Sequence, residues 1–327
     1  MKAISIKKPG GPEQLEIQER PIPEINVGEL LIKVHASAIN RTDTLTRENK
    51  GLTIPYPILG VEVAGTVVES NVADDQRLIG KRVAGLVNHG GYAEYVTLPA
   101  DRIFHIPDNM SFEEAAAIPE VFLTAYQTLY WLGELQPEET VLIHAGASGV
   151  GTAAIQLAKK ITKAHIIVTA GSEEKLDFCI ELGADKGINY KKEEFDQEVL
   201  DYTNHEGVDL ILDFIGASYW EKNIASIKTD GRWIVIGTLG GAVVEQVNLG
   251  VLLQKRIALK GTLLTPRSDQ YKARLTNEFI EQVMPYFEKK WIKPIVDTTF
   301  SFDDATSAHR YMEENRNIGK IILKIQE

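Results

Sequence analysis

The sequence predicts a two-domain protein, with one mainly-β domain and one α/β domain built on a doubly wound parallel sheet. At roughly 100–200 residues per domain, a chain of 327 residues is long enough for two. Short, glycine-punctuated segments fill the chain up to residue 118, whereas apolar strands alternate with helices from 119 to 265. We therefore expect residues 1–118, completed by 266–327, to form the mainly-β domain and residues 119–265 to form the α/β domain.

The first region contains predicted strands at residues 30–36, 60–70, 80–87 and 91–97. Gly, Pro and Asp separate these strands, and the last one alternates apolar and polar residues with a period of two. This pattern is typical of a small antiparallel barrel or sandwich.

The second region alternates predicted strands and helices. The strands are expected at residues 140–145, 165–170, 187–190, 208–213, 233–237 and 257–264, and the clearest helices at 149–160 and 173–182. Continuous apolar runs of this kind are what a parallel sheet covered on both faces requires. After this region we expect a helix at 269–290, a second at 305–315 and a closing strand at 320–325.

The charge and cysteine content exclude several classes of protein. Lys plus Arg number 35 and Asp plus Glu 46, so the net charge of −11 argues against sequence-independent nucleic-acid binding, which needs a basic face. Cys179 is the single cysteine, so no intrachain disulfide forms and a reducing cytoplasm is the expected compartment. The N-terminus lacks the apolar core of a signal peptide, and no apolar run reaches the roughly 18–20 residues of a membrane-spanning helix.

A glycine-rich turn joins the first predicted strand of the second region to its helix. Gly146, Gly149 and Gly151 have the spacing G-x-x-G-x-G, whereas the common dinucleotide fingerprint is G-x-G-x-x-G. Such a turn lets the backbone approach a pyrophosphate, whose charge is stabilised by N–H groups at the helix N-terminus. The alternative is a tight turn with close helix–sheet packing. The strand–turn–helix context favours dinucleotide binding.

The residues after the second strand favour NADP over NAD. NAD enzymes usually place Asp or Glu there to bind the ribose 2′-hydroxyl. Here the strand ends in Gly171 and Ser172, and Lys175 follows one helical turn later. We expect Ser172 and Lys175 to bind a 2′-phosphate, with Tyr190 beside them. The alternative for Lys175 is a solvent-exposed helix face.

The sequence predicts no metal site. A catalytic zinc needs thiolate, imidazole or carboxylate ligands, but Cys179 lies in a predicted helix and is expected in the core. The seven histidines form no close ligand-spaced pair. His144 and His165 lie in predicted strands, where we expect them to be packed and hydrogen-bonded.

The chain as a whole resembles the zinc-independent quinone oxidoreductases of the medium-chain dehydrogenase/reductase superfamily. The motifs that carry this resemblance are residues 38–43 (AINRTD), 60–65 (GVEVAG), 90–95 (GGYAEY), 118–126 (IPEVFLTAY), 144–151 (HAGASGVG), 216–223 (GASYWEKN) and 317–320 (NIGK). The 218–223 run and residues 230–233 (DGRW) are most similar to the tumour-suppressor-inducible quinone oxidoreductase branch. Zinc relatives carry cysteine where Asn40 stands and histidine where Val61 stands.

The resemblance implies a GroES-like catalytic domain and a Rossmann domain, with NADPH bound in the cleft between them. It places particular residues at each part of the cofactor: Ser148, Gly149 and Val150 at the pyrophosphate, Ser172, Lys175 and Tyr190 at the 2′-phosphate, Ile215, Leu239, Leu263 and Asn317 along the remainder, and Asn40 and Thr124 at the nicotinamide. Asn40 has an alternative role as a turn residue before Asp43. The loop at 48–56 departs from the family pattern, because it lacks a tyrosine over the substrate at the matching place.

The activity implied is hydride transfer from NADPH to a quinone, without metal or flavin. No residue indicates a general acid, and quinone reduction tolerates this because the reduced oxygen can take its proton from solvent. The alternatives are a reductase of α,β-unsaturated carbonyls and a non-catalytic NADPH-binding redox sensor.

The apolar run at 257–264 would close the sheet as an edge strand, and in the family this edge pairs across a twofold axis. We therefore expect a homodimer.

Overall fold

The computed structural model describes residues 1–73 and 76–325, and the chain folds into two compact units. The first unit comprises Met1–Leu123 and Thr265–Glu327, and the second comprises Thr124–Leu264. The first is mainly β and the second is α/β, which confirms the predicted fold class.

The strands in chain order are β1 (Lys2–Ile6), β2 (Leu15–Glu19), β3 (Glu29–Ile39), β4 (Glu62–Ser70), β5 (Arg82–Leu86), β6 (Tyr95–Pro99), β7 (Ile103–His105), β8 (Thr140–Ile143), β9 (His165–Ala170), β10 (Lys186–Asn189), β11 (Val208–Asp213), β12 (Ile227–Val235), β13 (Ala258–Gly261), β14 (Val296–Ser301) and β15 (Lys320–Lys324). The helices are α1 (Arg41–Glu48), α2 (Phe112–Ala116), α3 (Pro119–Tyr126), α4 (Gly149–Leu157), α5 (Glu173–Leu182), α6 (Phe195–Tyr202), α7 (Trp220–Ser226), α8 (Leu249–Lys255), α9 (Asp269–Gln282), α10 (Met284–Glu288) and α11 (Ala305–Glu313).

The first unit is built around a seven-stranded sheet. Its strand order is β14-β15-β3-β4-β5-β7, with β6 also paired to β3, while β1 and β2 form a separate hairpin. Apart from the parallel β14–β15 pair, the pairs are antiparallel. Apolar side chains of β3, β4 and β15 pack into one core, which includes Ile32, Val63 and Ile321.

The second unit contains a six-stranded parallel sheet in the order β10-β9-β8-β11-β12-β13. Numbered within this unit the order is 3-2-1-4-5-6, which is that of a doubly wound dinucleotide-binding sheet. Buried residues such as Leu142, Ile167 and Ile211 pack against the helices that cover the sheet. The predicted bounds of β9, β11 and α5 are confirmed at both ends.

Several predicted elements are wrong in extent, including the strand at 91–97 and the helix at 269–290. The strand predicted at 91–97 begins only at Tyr95, and residues 91–94 are not part of a strand. The helix predicted at 269–290 ends at Gln282, and α10 starts again with Pro285 in its first turn. Proline lacks a backbone N–H and is accommodated at the start of a helix but not inside one, which explains this break.

Two helices near the candidate site were not predicted. The sequence of α1 is almost entirely polar (RTDTLTRE), so it shows no apolar stripe. The sequence of α3 is apolar on nearly every face (PEVFLTAY), and periodicity cannot distinguish such a helix from a buried strand.

Candidate functional site

The predicted cofactor residues of the second unit are gathered at one edge of its sheet, because each follows the carboxyl end of a different strand. In the order β8 to β13 these residues are Ser148, Gly171, Tyr190, Ile215, Leu239 and Leu263. Ligands of open α/β sheets bind at this edge, near the point where the strand order reverses. The topology therefore places all six residues along the edge at which such sheets bind ligands.

The glycine turn between β8 and α4 has no space for larger residues at two of its positions. A Cβ atom on Gly151 would lie 2.5 Å from the carbonyl oxygens of Ala145 and Gly146. A Cβ on Gly146 would lie 2.7 Å from Val168 Cβ on β9. The turn is thus held against both the sheet and its own backbone, as both sequence interpretations required.

Ser148 caps the helix that follows this turn. Its hydroxyl accepts a hydrogen bond from the backbone N–H of Gly151 at 3.1 Å. The first N–H groups of any α-helix have no intrahelical acceptor and attract anions. In α4 these groups include the N–H groups of Gly149 and Val150, the residues expected at the pyrophosphate. The turn and helix start therefore fit a dinucleotide phosphate.

Tyr190 lies directly over Gly171. A Cβ on Gly171 would be 2.8 Å from the Tyr190 hydroxyl oxygen and 3.1 Å from Lys191 Cε. The structure thus brings together two of the residues expected at the 2′-phosphate. It also adds Lys191, a cation next to Tyr190 in the chain that the sequence did not indicate as part of the site.

Ser172 and Lys175 belong to the first turn of α5. Ser172 is the N-cap residue, and its hydroxyl accepts from the backbone N–H of Lys175 at 3.4 Å. The nearby carboxylate of Glu173 accepts hydrogen bonds from the amide of Asn189 and the ammonium of Lys192, at 2.8 and 3.0 Å. These bonds lower the pKa of Glu173 and offset its charge.

The remaining candidates of the second unit differ in their surroundings. Leu239 and Leu263 are exposed apolar side chains. The backbone N–H of Ile215 donates to Asp213 Oδ1, which fixes the turn after β11. Thr124 is buried, and its hydroxyl oxygen has no hydrogen-bond partner among the residues that the structure describes.

In the first unit, Asn40 belongs to a group of polar residues that we call the Lys320 cluster: Asn40, Asp43, Glu62 and Lys320, which are buried, and Glu120, which is half-buried. Lys320 Nζ donates to Asn40 Oδ1 at 2.7 Å, to Glu62 Oε1 at 2.8 Å and to the Ile39 carbonyl at 3.0 Å. Asn40 Nδ2 donates to Glu62 Oε1 at 2.7 Å and to the Ala38 carbonyl at 3.2 Å. The Asn40 amide is therefore held in one orientation.

Sheet register explains why these residues meet. The strands β15, β3 and β4 are neighbours, with Ile321 opposite Ile39 and Ser37 opposite Val63. Lys320 precedes Ile321 on β15, and Glu62 precedes Val63 on β4. The two residues therefore lie on opposite sides of the C-terminal end of β3. Asn40 is the first residue after β3 and also caps α1, since its backbone N–H donates to Asp43 Oδ2 at 2.8 Å. Asn40 therefore also acts as the turn residue before Asp43 that the sequence predicted as its alternative role.

Burial changes the acidity of two carboxyl groups in the cluster. Loss of solvation raises the pKa of Asp43 to about 6, although three hydrogen bonds to its carboxylate act to lower that pKa. The donors are Asn40 N, Tyr92 Oη and Gly60 N. Loss of solvation, together with the charge of Glu62, raises the pKa of Glu120 to about 8. The sequence analysis missed Glu62, Glu120 and Lys320 as site residues, although all three lie within the motifs that carry the family resemblance.

The cluster does not fit a zinc ion. Both oxygens of Glu62 are already used, because Oε2 accepts from the backbone N–H of Glu120 at 2.8 Å. The buried ammonium group of Lys320 would repel a metal cation, and the cluster contains neither a thiolate nor an imidazole. Across residues 1–73 and 76–325 the structure contains no group of three His, Cys, Asp or Glu that could hold a metal ion.

The cysteine and the two strand histidines are placed as follows. Cys179 is buried, and burial raises the pKa of its thiol to about 12. His144 is buried with its ring nitrogens 3.0 Å from Thr169 Oγ1 and 2.7 Å from Asn223 Oδ1, which confirms the prediction. The prediction was wrong for His165, which is exposed because it is the first residue of β9.

Two further candidates lie in the first unit. Asn317 donates through its side-chain amide to the carbonyl of Gly319 at 2.6 Å, just before β15. In the loop at 48–56, Tyr56 is half-buried and packs against the hydrophobic core of this unit. Tyr56 therefore contributes to packing.

Comparisons with known proteins agree with this geometry. The family "Alcohol dehydrogenase GroES-like domain" matches residues 26–108, and the family "Zinc-binding dehydrogenase" matches residues 149–281. The synaptic vesicle membrane protein VAT-1 homolog of Mus musculus is 30% identical over 96% of this chain and 81% of its own length. This chain belongs to the medium-chain dehydrogenase/reductase superfamily.

Further members have quinone oxidoreductase in their names. Quinone oxidoreductase-like protein 2 of Bos taurus is 28% identical, over 95% of this chain and 88% of its own. The structure of Escherichia coli quinone oxidoreductase complexed with NADPH has a TM-score of 0.90 and 29% identity, covering 99% of this chain and 100% of that one. A structure described as an NAD-dependent alcohol dehydrogenase has a TM-score of 0.88 and 31% identity, with both chains fully covered. These matches support an NAD(P)-dependent oxidoreductase.

One of these relatives is named as a membrane protein. Among the described residues of this chain, no helix has both the length and the apolar character needed to cross a bilayer.

Proposed function

We propose that this protein is an NADPH-dependent quinone reductase that transfers a hydride without metal or flavin. The observation that carries the proposal is the edge of the second unit's sheet, where a glycine turn and a capped helix start follow β8 and Lys191 lies against the Gly171 turn after β9. The relationship to quinone oxidoreductases supports the choice of acceptor.

The preference for NADPH rests on charge. The strand β9 ends without a carboxylate that could accept a hydrogen bond from a ribose 2′-hydroxyl. Lys191 lies against the Gly171 turn, Lys175 follows in the first turn of α5, and Glu173 forms an ion pair with Lys192. A 2′-phosphate would gain charge-assisted hydrogen bonds here, which are stronger than neutral ones.

The protein's own contribution is binding, orientation and exclusion of water. In this proposal Ser148, Gly149 and Val150 hold the pyrophosphate, and Ile215, Leu239, Leu263 and Asn317 line the cofactor. Asn40 and Thr124 flank the nicotinamide, which supplies the hydride when the cofactor is bound. Thr124 has a buried hydroxyl whose hydrogen-bonding capacity such a ligand would satisfy.

A steady-state screen of cofactor oxidation tests the proposal. NADPH and NADH are each supplied with ortho-quinones, para-quinones and α,β-unsaturated carbonyls. We expect quinone-dependent oxidation, with kcat/KM higher for NADPH than for NADH. Oxidation with unsaturated carbonyls alone would identify an enone reductase instead. Cofactor binding without oxidation by any acceptor would identify a redox sensor.

We further propose a homodimer through the edge strand β13, within the predicted segment 257–264. Exposed apolar side chains are concentrated on this strand and on α8 before it, including Leu249, Leu253 and Leu259. An exposed apolar edge strand can pair with the same strand of another chain, and pairing across a twofold axis leaves neither edge exposed. Sedimentation at micromolar concentration should give a dimer, and Leu259→Asp should give a monomer. The control Leu45→Asp, at an exposed leucine of the first unit, should remain dimeric. A monomeric wild type would contradict the proposal.

The single cysteine is compatible with a reducing compartment, and we propose the cytoplasm as the site of action.

A further inference from the structure

Glu120 is a half-buried acid for whose carboxyl group the fold alone gives no role. Its Oε2 is shielded from solvent and has no hydrogen-bond partner among the described residues. Unsatisfied buried polar atoms are rare in native proteins and call for an explanation. Its backbone is fixed, because the N–H of Glu120 donates to Glu62 Oε2 at 2.8 Å.

Loss of solvation and the neighbouring carboxyl groups favour the neutral form of Glu120. Glu62 on β4 and Asp43 on α1 are carboxyl groups, while Lys320 on β15 and Lys272 on α9 are cations. Lys320 is already bound by Glu62 and Asn40, and Lys272 by Asn88 and Asp269. A further negative charge on Glu120 would be desolvated and would repel Glu62. At neutral pH the group therefore holds a proton.

Glu120 also lies close to a proposed cofactor contact along the chain. It is four residues before Thr124 on the helix α3, and residues at i and i+4 share a helix face. Both side chains end in a buried oxygen that has no partner in the described part of the chain. Two such oxygens on one helical face indicate that a ligand supplies their partners.

We propose that the carboxyl group of Glu120 is the proton donor that completes reduction of the acceptor, and that its desolvated position beside Glu62 keeps this group neutral. The inference rests on the proposed function. The acceptor gains two electrons and one hydrogen as hydride, and the resulting anion takes the carboxyl proton of Glu120. The O–H bond of Glu120 breaks, an O–H or C–H bond forms on the product, and the carboxylate regains a proton from water.

If Glu120 donates a proton, the reduction of different acceptors should depend on Glu120 to different extents. A hydroquinone anion can be protonated in solvent, whereas an enolate formed from an unsaturated carbonyl gains more from a positioned acid. General acids typically contribute about 10²–10⁴-fold to rate. Any turnover of enones should therefore depend strongly on Glu120, and turnover of quinones less so.

The test compares the wild type with Glu120→Gln, a neutral isostere, and with Glu288→Gln, which removes an exposed carboxylate of the same unit. With NADPH and an enone or quinone, wild-type kcat should fall as pH rises through about 8. Glu120→Gln should lower the enone kcat by about 100-fold or more and abolish this pH dependence. Glu288→Gln should match the wild type. Glu120→Asp, which keeps a displaced acid, should retain the pH dependence at reduced rate.

A second readout needs no cofactor. Infrared spectra of the wild type at neutral pH should contain the C=O stretch of a protonated carboxyl group that titrates near pH 8 and is missing in Glu120→Gln. The folded state binds this proton more tightly than the unfolded state, whose ordinary pKa is 4.5. The unfolding free energy of the wild type relative to Glu120→Gln should therefore fall as pH rises from 4.5 to about 8.

The outcomes distinguish this inference from the proposed function. If the wild type reduces acceptors but Glu120→Gln keeps the same kcat and pH profile, Glu120 is not the donor and the reductase proposal stands. If the infrared band is absent at neutral pH, the carboxyl group is ionised and the inference fails. If the wild type reduces no acceptor, both proposals are overturned.

Discussion

The glycine turn of the second unit and the Lys320 cluster of the first unit are both candidate binding elements, but they are built from different parts of the chain. The turn uses backbone: its specific feature is the missing Cβ of Gly146 and Gly151 and the N–H groups of a helix start. The cluster uses side chains, and its hydrogen bonds join residues far apart in sequence, such as Asn40 and Lys320.

This difference has an energetic consequence. A phosphate at a helix start interacts with groups that remain accessible to water, so each contact is modest and sensitive to salt. A buried ion pair such as Lys320–Glu62 has already lost its hydration, so removal of one partner leaves an uncompensated charge. We therefore expect loss of the Lys320–Glu62 pair to change stability, and substitutions around the turn to change cofactor affinity.

The largest effect is expected for Lys320→Met. This substitution leaves Glu62 buried without its cation, which typically costs about 3–5 kcal/mol of unfolding free energy. Chemical denaturation measures the loss. The double variant Lys320→Met/Glu62→Gln should recover most of it, since it removes both charges.

The control for this experiment is an exposed ion pair. Arg256 and Asp230 form a hydrogen-bonded pair at the surface of the second unit. Surface pairs contribute little to stability, so Asp230→Asn should have no measurable effect. If Lys320→Met also left the unfolding free energy unchanged, the cluster would not be the charged, desolvated network described above.

A smaller effect, confined to cofactor binding, is expected for Lys175→Ala. A hydrogen bond to a charged group is worth ~1.5–3 kcal/mol, so NADPH should bind about tenfold to a hundredfold more weakly. NADH, which lacks the 2′-phosphate, should be nearly unaffected. Dissociation constants for both cofactors measure this, and the difference should shrink at high salt.

Lys160→Ala provides the matched control, because it removes the same charge from an exposed position beyond the C-terminal end of α4. It should leave both dissociation constants unchanged. An equal loss for NADPH and NADH in Lys175→Ala would mean that Lys175 does not read the 2′-phosphate.

The parts of the site that sequence analysis predicted are those determined by local patterns. The strand–glycine–helix pattern around Gly146 and the bounds of α5 follow from residues that are neighbours in the chain. The absence of an acid after Ala170 is likewise a local feature. These features could be predicted because their physical cause, the conformational freedom of glycine or the apolar face of a helix, lies within a few residues.

Other features depended on long-range contacts. Lys191 reaches Gly171 only because β10 lies beside β9 in the sheet, a pairing that a single sequence does not specify. His165 was expected to be packed because it belongs to a strand, but its position at the strand end leaves it exposed. Strand membership alone does not determine burial.

The sequence by itself determined the two-part α/β and mainly-β organisation, the glycine turn and the residues around it, because these follow from local composition and periodicity. Only the tertiary structure showed that desolvation raises the pKa of the Glu120 carboxyl group to about 8. A glutamate in a sequence is expected to be ionised, and it becomes neutral only when folding removes its water and brings Glu62 beside it. The acidity of Glu120 therefore depends on the folded environment that desolvates its carboxyl group and places Glu62 beside it, and no local sequence pattern specifies that environment.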